Sequence, residues 1–270
     1  MTVNVAAGGL VRACHPEPTA AVTALSGLLA LRLGHSPATL ALVMAAVFTG
    51  QLTVGWSNDL IDAGRDRLVG RADKPLATGR VTARTVRVAL AVAAVLCVVL
   101  SLALGAAAGL VHLFLVGCGV AYNLVLKRTA LSWLPYAIAF GLLPAVVSLA
   151  LDPPEWPPAW MIAAGALLGV GAHLVNVLPD LDDDAATGVR GLPHRLGPVR
   201  ARVTAVVVLA AASVLVVLGP GRPPGWAWAG LAVVGVLVVA ALRGRGATPF
   251  RAAMAIALAD VVLLVLRGGG

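Results

Sequence analysis

Residues 83–104 read ARTVRVALAVAAVLCVVLSLAL and residues 106–125 read AAAGLVHLFLVGCGVAYNLV, with one glycine, Gly105, between them. Each run is about twenty residues long, the length a helix needs to cross the hydrocarbon core of a bilayer. Neither alternates apolar and polar residues at every second position, so neither reads as a strand of a transmembrane barrel. Carried outward, the same reading gives nine apolar runs punctuated by proline, glycine and charge: 18–34, 38–56, 83–104, 106–125, 131–151, 158–179, 199–218, 225–242 and 248–267. Composition agrees. The 270 residues are 60% hydrophobic and 12% charged, with a mean hydropathy of +0.94, whereas soluble domains carry about 25% charge. A soluble enzyme, a secreted disulfide scaffold and a disordered tail are excluded. The expectation is an all-α, polytopic membrane protein of about nine transmembrane helices.

Cys14, Cys97 and Cys118 have no metal or disulfide spacing and read as small buried hydrophobes. No cleaved signal is expected, because the N-terminus has no basic stretch leading into an apolar core. The net charge of +8 signals topology rather than nucleic acid once it is placed along the spans. Seventeen of the twenty Lys and Arg residues fall on one side: Arg12, the 57–87 loop, Lys127 and Arg128, the 190–202 stretch, and Arg243, Arg245 and Arg251. That side is expected to be cytoplasmic, in the plasma membrane, with residues 1–17 as a cytoplasmic segment ahead of a single membrane domain over 18–267. The six tryptophans lie near span ends, as an aromatic belt requires.

Acidic residues are concentrated. Of twelve, eight fall in two stretches: Asp59, Asp62, Asp66 and Asp73, then Asp180, Asp182, Asp183 and Asp184. Four spans separate the stretches, which puts both at the cytoplasmic rim. Asn58, Asp62 and Asp66 repeat the spacing of Asn176, Asp180 and Asp184, and on a helix positions i, i+4 and i+8 form one stripe. An ungapped offset of 118 residues matches Asn58–Val88 to Asn176–Val206 with eleven identities in 31 positions, including Gly70 with Gly188, Pro75 with Pro193, Gly79 with Gly197 and Arg84 with Arg202. We read this as two tandem four-helix repeats plus one helix.

Carboxylate and amide oxygens without clustered His or Cys suit a hard cation. Mg²⁺ in particular takes one or two carboxylates together with waters and substrate phosphates. Two facing sets are expected to hold two Mg²⁺ ions bridged by a diphosphate. Arg65, Arg71, Lys74, Lys127, Arg128, Arg190 and Arg195 lie on the same face and are candidate phosphate partners. A diphosphate held at the water boundary by helices in lipid implies a substrate with a charged head and a long apolar tail, and a polyprenyl diphosphate fits. The metal-site candidates are thus Asn58, Asp59, Asp62, Asp66, Asn176, Asp180 and Asp184, with Asp59, Asp182 and Asp183 off the stripe and free to pair with loop arginines.

At these residues the chain resembles the UbiA superfamily of intramembrane prenyltransferases. Asn58-Asp59-Leu60-Ile61-Asp62-Ala63-Gly64-Arg65-Asp66 is similar to that family's NDxxDxxxD motif, and Arg71 to Gly79 to its Arg-x2-Arg-Pro-Leu-x2-Gly stretch, with Lys74 at the second basic position. Tyr122 to Arg128, YNLVLKR, resembles its Tyr-x4-Lys-Arg segment, and Asp180 to Asp184 followed by Gly188 and Leu192 to Gly197 resembles its second aspartate motif. The resemblance implies nine helices around a central cavity, and Mg²⁺-dependent transfer of a prenyl chain to a small, commonly aromatic, or lipid acceptor. It places Asn58, Asp62, Asp66, Asp180 and Asp184 at the metal-diphosphate site, with Lys127, Arg71 and Lys74 on the phosphates; the four aspartates and Lys127 are the expected catalytic set. Where the ubiquinone-pathway branch has Asp and Tyr, this chain has His173 and Asn176, which leaves the acceptor open. Tyr122 and His173 are candidate acceptor contacts, against the alternatives of an interfacial tyrosine and a hydrogen-bonded core histidine. Two other functions share parts of this pattern: a terpene cyclase on the same scaffold, disfavoured by an aromatic content of only 4%, and a cation-coupled transporter, disfavoured by acids at one rim.

Overall fold

The computed structural model describes residues 2–268, and among them there is no strand. Twelve helices follow in order: α1 (Thr2–Ala13), α2 (Pro16–Arg32), α3 (Pro37–Leu68), α4 (Ala83–Ala103), α5 (Ala106–Leu124), α6 (Leu134–Ser148), α7 (Ala159–Val177), α8 (Leu181–Ala186), α9 (Leu192–Leu196), α10 (Pro198–Leu218), α11 (Gly225–Arg243) and α12 (Thr248–Arg267). Single 3-10 turns occupy Leu126–Arg128 and Leu178–Asp180.

Seven helices are long and apolar enough to cross a membrane, α7 being counted with its continuation to Ala186. Two of the nine expected spans are shorter. α2 has 17 residues and α6 has 15, and 15 residues rise only about 22 Å against a hydrocarbon core of about 30 Å. The apolar run 131–151 therefore overstates the helix inside it. Its first residues turn across the site end of the bundle, and Pro135 marks the true helix start, where a missing N–H costs nothing. In contrast α3 overruns its span. Nothing between Pro37 and Leu68 breaks a helix, so its 32 residues reach about 48 Å and carry Asn58 to Asp66 beyond the apolar stretch.

Each half of the bundle is organised on one helix that carries or leads into an acidic cluster. α3 packs against α2, α4 and α5, and α7 against α6, α10 and α12, while α2 meets both α6 and α12 and closes the circuit. Leu25, Leu29, Val43, Val47, Leu115 and Val146 fill the first core. Leu174, Val206, Leu209, Val234 and Ile256 fill the second. The α6–α7 seam is set by small residues. Pro144 has no N–H for the Phe140 carbonyl, and Gly165 lets α7 rest on that oxygen, where a Cβ would stand 2.5 Å away. Gly169 does the same over the Tyr136 carbonyl.

The two stretches related by the 118-residue offset share unusual backbone geometry. Gly70 and Gly188 have φ of 69° and 79°, and Gly79 and Gly197 have 72° and 76°, a left-handed conformation that side-chain-bearing residues adopt at a cost. The matched glycines end corresponding helices and begin corresponding descents, in keeping with a duplicated unit.

Candidate active site

Because α3 is unbroken, Asn58, Asp62 and Asp66 sit on one stripe of it. Asp62 and Asp66 are buried, at 4% and 2% exposure, and buried carboxylates need cationic or hydrogen-bond partners. Lys127, in the 3-10 turn that follows α5, places its Nζ 2.5 Å from Asp62 Oδ1. Burial pulls the Lys127 pKa below the ordinary lysine value, and the contact with Asp62 opposes that pull. The Arg65 guanidinium lies 3.3 Å from Asp62 Oδ2 and 3.7 Å from Asp66 Oδ1. Asn58 donates from its amide nitrogen to Asn123 Oδ1 at 3.1 Å, and Asn123 in turn donates to the Val54 carbonyl and Ser57 Oγ, both at 2.9 Å. This network commits the Asn58 nitrogen to α5 and leaves its carbonyl oxygen for a ligand.

The second set departs from a regular stripe. Pro179 cannot donate to the ladder, so α7 tightens into the Leu178–Asp180 turn before α8 resumes. The turn still brings Asp184 to α3 and Asp180 to the loop that follows it. Arg65 Nη1 is 3.5 Å from Asp184 Oδ1, and Arg71 Nη1 is 3.4 Å from Asp180 Oδ1. Asn176, in the last turn of α7 ahead of the 3-10 turn, is exposed and forms no side-chain hydrogen bond among the described residues. Asp182 and Asp183 are exposed. Arg71 also grips Asp73 with two hydrogen bonds of 2.9 and 3.0 Å, which hold the Asp73 carboxyl down at about 2.

Asp59 stands apart from the set. It is 1% exposed, and its Oδ1 meets Lys74 Nζ at 2.8 Å and His15 Nε2 at 3.3 Å. Of the other expected phosphate partners, Arg128, Arg190 and Arg195 are exposed and contact none of these carboxylates; Arg195 donates only to the Arg190 carbonyl, at 3.4 Å.

Beside Asp184 a narrow cleft is lined by Tyr122, Lys127, Ser132, His173, Gly191 and His194, with Val177, Val189 and Pro193. Tyr122 and His173 come together there, with ring centroids 5.8 Å apart, and Tyr136 packs on both. Ser132 Oγ accepts from the Leu192 N–H at 2.9 Å and lies 3.0 Å from His173 Nε2. Among the described residues the hydroxyl has no other acceptor for its proton, so it donates to Nε2, which leaves the imidazole proton on Nδ1, an atom buried without a partner. His194 is 3.9 Å from Asp184, and burial lowers its pKa against the opposing pull of Asp184.

Among the described residues no three His, Cys, Asp or Glu side chains are gathered closely enough to cage a cation alone. Mg²⁺ keeps several waters and binds through few carboxylates and substrate phosphates. The donors here are carboxylate oxygens of Asp62, Asp66, Asp180 and Asp184 and an amide oxygen of Asn58, all hard, and they face each other across Arg65 and Arg71. These residues fit the ion. Spacing in the sequence does not mark Asn123, Ser132, Tyr136 or His15. Only Asn123, adjacent to Tyr122 in YNLVLKR, had a local signal that could have found it.

A model of the UbiA prenyltransferase family matches residues 20–259. No curated protein sequence matches the chain. Among solved structures, the apo form of a UbiA homologue from Aeropyrum pernix K1 superposes with a TM-score of 0.76 at 22% identity, covering 93% of this chain and 98% of that one. A UbiA homologue from Archaeoglobus fulgidus bound to GPP and Mg²⁺ gives 0.72 at 17% identity, over 96% and 98%. A digeranylgeranylglyceryl phosphate synthase gives 0.69 at 15%, over 97% and 98%.

Proposed function

The chain belongs to the UbiA prenyltransferase family, and from that premise we propose that it transfers a prenyl group from a polyprenyl diphosphate to a small aromatic or lipid acceptor within the membrane, with Mg²⁺. The observation that carries this is Arg65: one guanidinium on α3 touches Asp62 and Asp66 of the first motif and Asp184 of the second. Two acidic clusters 118 residues apart thus share one water-boundary site lined by cations, which is the shape of a diphosphate receptor.

In this reading Asp62, Asp66, Asp180 and Asp184, with the Asn58 carbonyl oxygen, hold the metal, in two ions. Bound there, Mg²⁺ supplies positive charge to the diphosphate as the leaving group develops its own negative charge. Lys127, Arg65 and Arg71 take the phosphate oxygens and Lys74 approaches from the loop. The allylic C–O bond breaks with its electron pair on the diphosphate, and the acceptor attacks the prenyl carbon and gives up a proton. Tyr122 and His173 wall the neighbouring cleft, where the unpartnered Nδ1–H of His173 meets a carbonyl, carboxylate or hydroxyl oxygen of the acceptor. The basic residues gathered at this end support placing the site at the cytoplasmic face of the plasma membrane.

The test incubates the purified protein in lipid with Mg²⁺, a series of labelled prenyl diphosphates and candidate acceptors, and identifies products by mass. A prenyl–acceptor conjugate formed only with Mg²⁺ is expected. A free cyclic hydrocarbon or alcohol would replace transfer by cyclisation, and no diphosphate release with any substrate would remove the proposal.

A further inference from the structure

The segment joining α1 to α2 is tied down more firmly than a connection requires. Cys14 and Ala13 are buried, at 6% and 0% exposure. The indole Nε1 of Trp56 donates to the Leu10 carbonyl at 3.0 Å, and Thr19 Oγ1 donates to the Cys14 carbonyl at 2.9 Å. Gly55 of α3 lies directly under that same carbonyl, where any Cβ would clash with the Cys14 oxygen. Gly9 rests against the Arg80 carbonyl at the far end of the basic loop. His15 ends the segment at φ 56° and ψ 71°, a left-handed conformation that is unfavourable for a residue other than glycine and persists only where its surroundings hold it.

What the strain achieves is visible at the tip of the ring. His15 Nε2 lies 3.2 Å from Lys74 Nζ, and the same ammonium donates to Asp59 Oδ1 at 2.8 Å. Lys74 has three donors and no acceptor, so the ring nitrogen accepts. Two neighbouring acceptors on one flank, one from α3 and one from the N-terminal segment, therefore hold the ammonium and leave an N–H on its other side for an anion.

We infer that the segment from Leu10 to His15 is a working part of the diphosphate site, with His15 as a positioning residue that aims Lys74 at the phosphate by accepting from its ammonium beside Asp59. The inference rests on the reading of Lys74 as a phosphate contact. It also accounts for Asp59, whose buried carboxylate serves the lysine rather than the facing acids.

The experiment measures binding of inorganic pyrophosphate in the presence of Mg²⁺ to the full chain in lipid. His15→Ala weakens binding about tenfold, the size of one charge-assisted hydrogen bond. His15→Gln bears the same backbone cost as alanine but returns an acceptor oxygen, and stays within about threefold of the parent. In a Lys74→Ala background the His15→Ala change adds less than about twofold, because its effect runs through the lysine. Trp56→Phe, which keeps an aromatic ring but releases the Leu10 carbonyl, weakens binding about threefold without touching His15 and stands in if His15→Ala does not fold. Loss at Lys74→Ala together with a silent or fully additive His15→Ala overturns this inference alone. No loss at Lys74→Ala removes the phosphate role of that lysine and the inference with it.

Discussion

Arg65 Nη1 stands 3.5 Å from Asp184 Oδ1, although the two residues are separated by more than a hundred positions and lie on different acid-bearing segments. The same guanidinium reaches Asp62 and Asp66, so one planar cation lies against three carboxylates. This arrangement explains how buried acids are tolerated at the end of an apolar bundle: Asp59, Asp62 and Asp66 are each matched by a cation that a diphosphate can later share.

Removing that cation exposes the repulsion it suppresses. In Arg65→Ala, Mg²⁺ is expected to raise the thermal midpoint by several degrees more than it does in the parent protein, since the ion replaces the missing charge. Equal shifts in the two proteins would show that Arg65 does not hold the carboxylates for the metal.

Asp62 and Asp180 are the sharpest probes of the metal assignment. Asp62→Asn keeps an acceptor for Lys127, whereas Asp62→Ala strands a buried lysine at a cost of about 3–5 kcal/mol. We expect Asp62→Asn and Asp180→Asn to fold and to lose at least about a hundredfold in turnover, a loss of roughly 2.7 kcal/mol of transition-state stabilisation. Near-parental activity in either variant removes that residue from the metal set.

His173 separates the two substrates. His173→Phe preserves the ring packing against Tyr122 and Tyr136 and deletes the Nδ1 donor. KM for the acceptor should rise about tenfold, the worth of a buried hydrogen bond to a charged or strongly polar group, while KM for the prenyl diphosphate stays within about twofold. An equal rise in both, or in neither, would place the acceptor elsewhere.

Topology is checked by labelling. With Cys14, Cys97 and Cys118 replaced, a single cysteine at Arg80 or Arg190 should react in intact cells only with a membrane-permeant reagent. Reaction with an impermeant one would invert the orientation.

The α6–α7 seam offers a test of fold rather than function. Gly169→Val forces a branched side chain against the Tyr136 carbonyl and should lower stability by about 1–3 kcal/mol, seen as an earlier loss of folded protein in detergent titration.

Much of this molecule is local in origin and therefore readable along the chain. Hydrophobic runs of bilayer length identify helices because the membrane forces each backbone segment to satisfy its own hydrogen bonds. The parity of those helices places Asp62 and Asp180 at the same end, and the offset that pairs Gly70 with Gly188 and Gly79 with Gly197 foreshadows their common left-handed backbone. Helix ends are less readable, since polar residues continue α3 to Leu68 as readily as apolar ones and an apolar run can hide the turn ahead of α6. Which charge meets which is decided only in three dimensions. Asp59 and Asp62 are three residues apart, yet one faces His15 and Lys74 and the other faces Lys127 and Arg65. The 3-10 turn at Pro179 interrupts the helix between Asn176 and Asp184, and Ser132 becomes important only because Leu192 and His173 approach it from other segments. Spacing reports the face of one helix. Partner choice depends on the angles and distances between helices far apart in the chain, which packing alone sets.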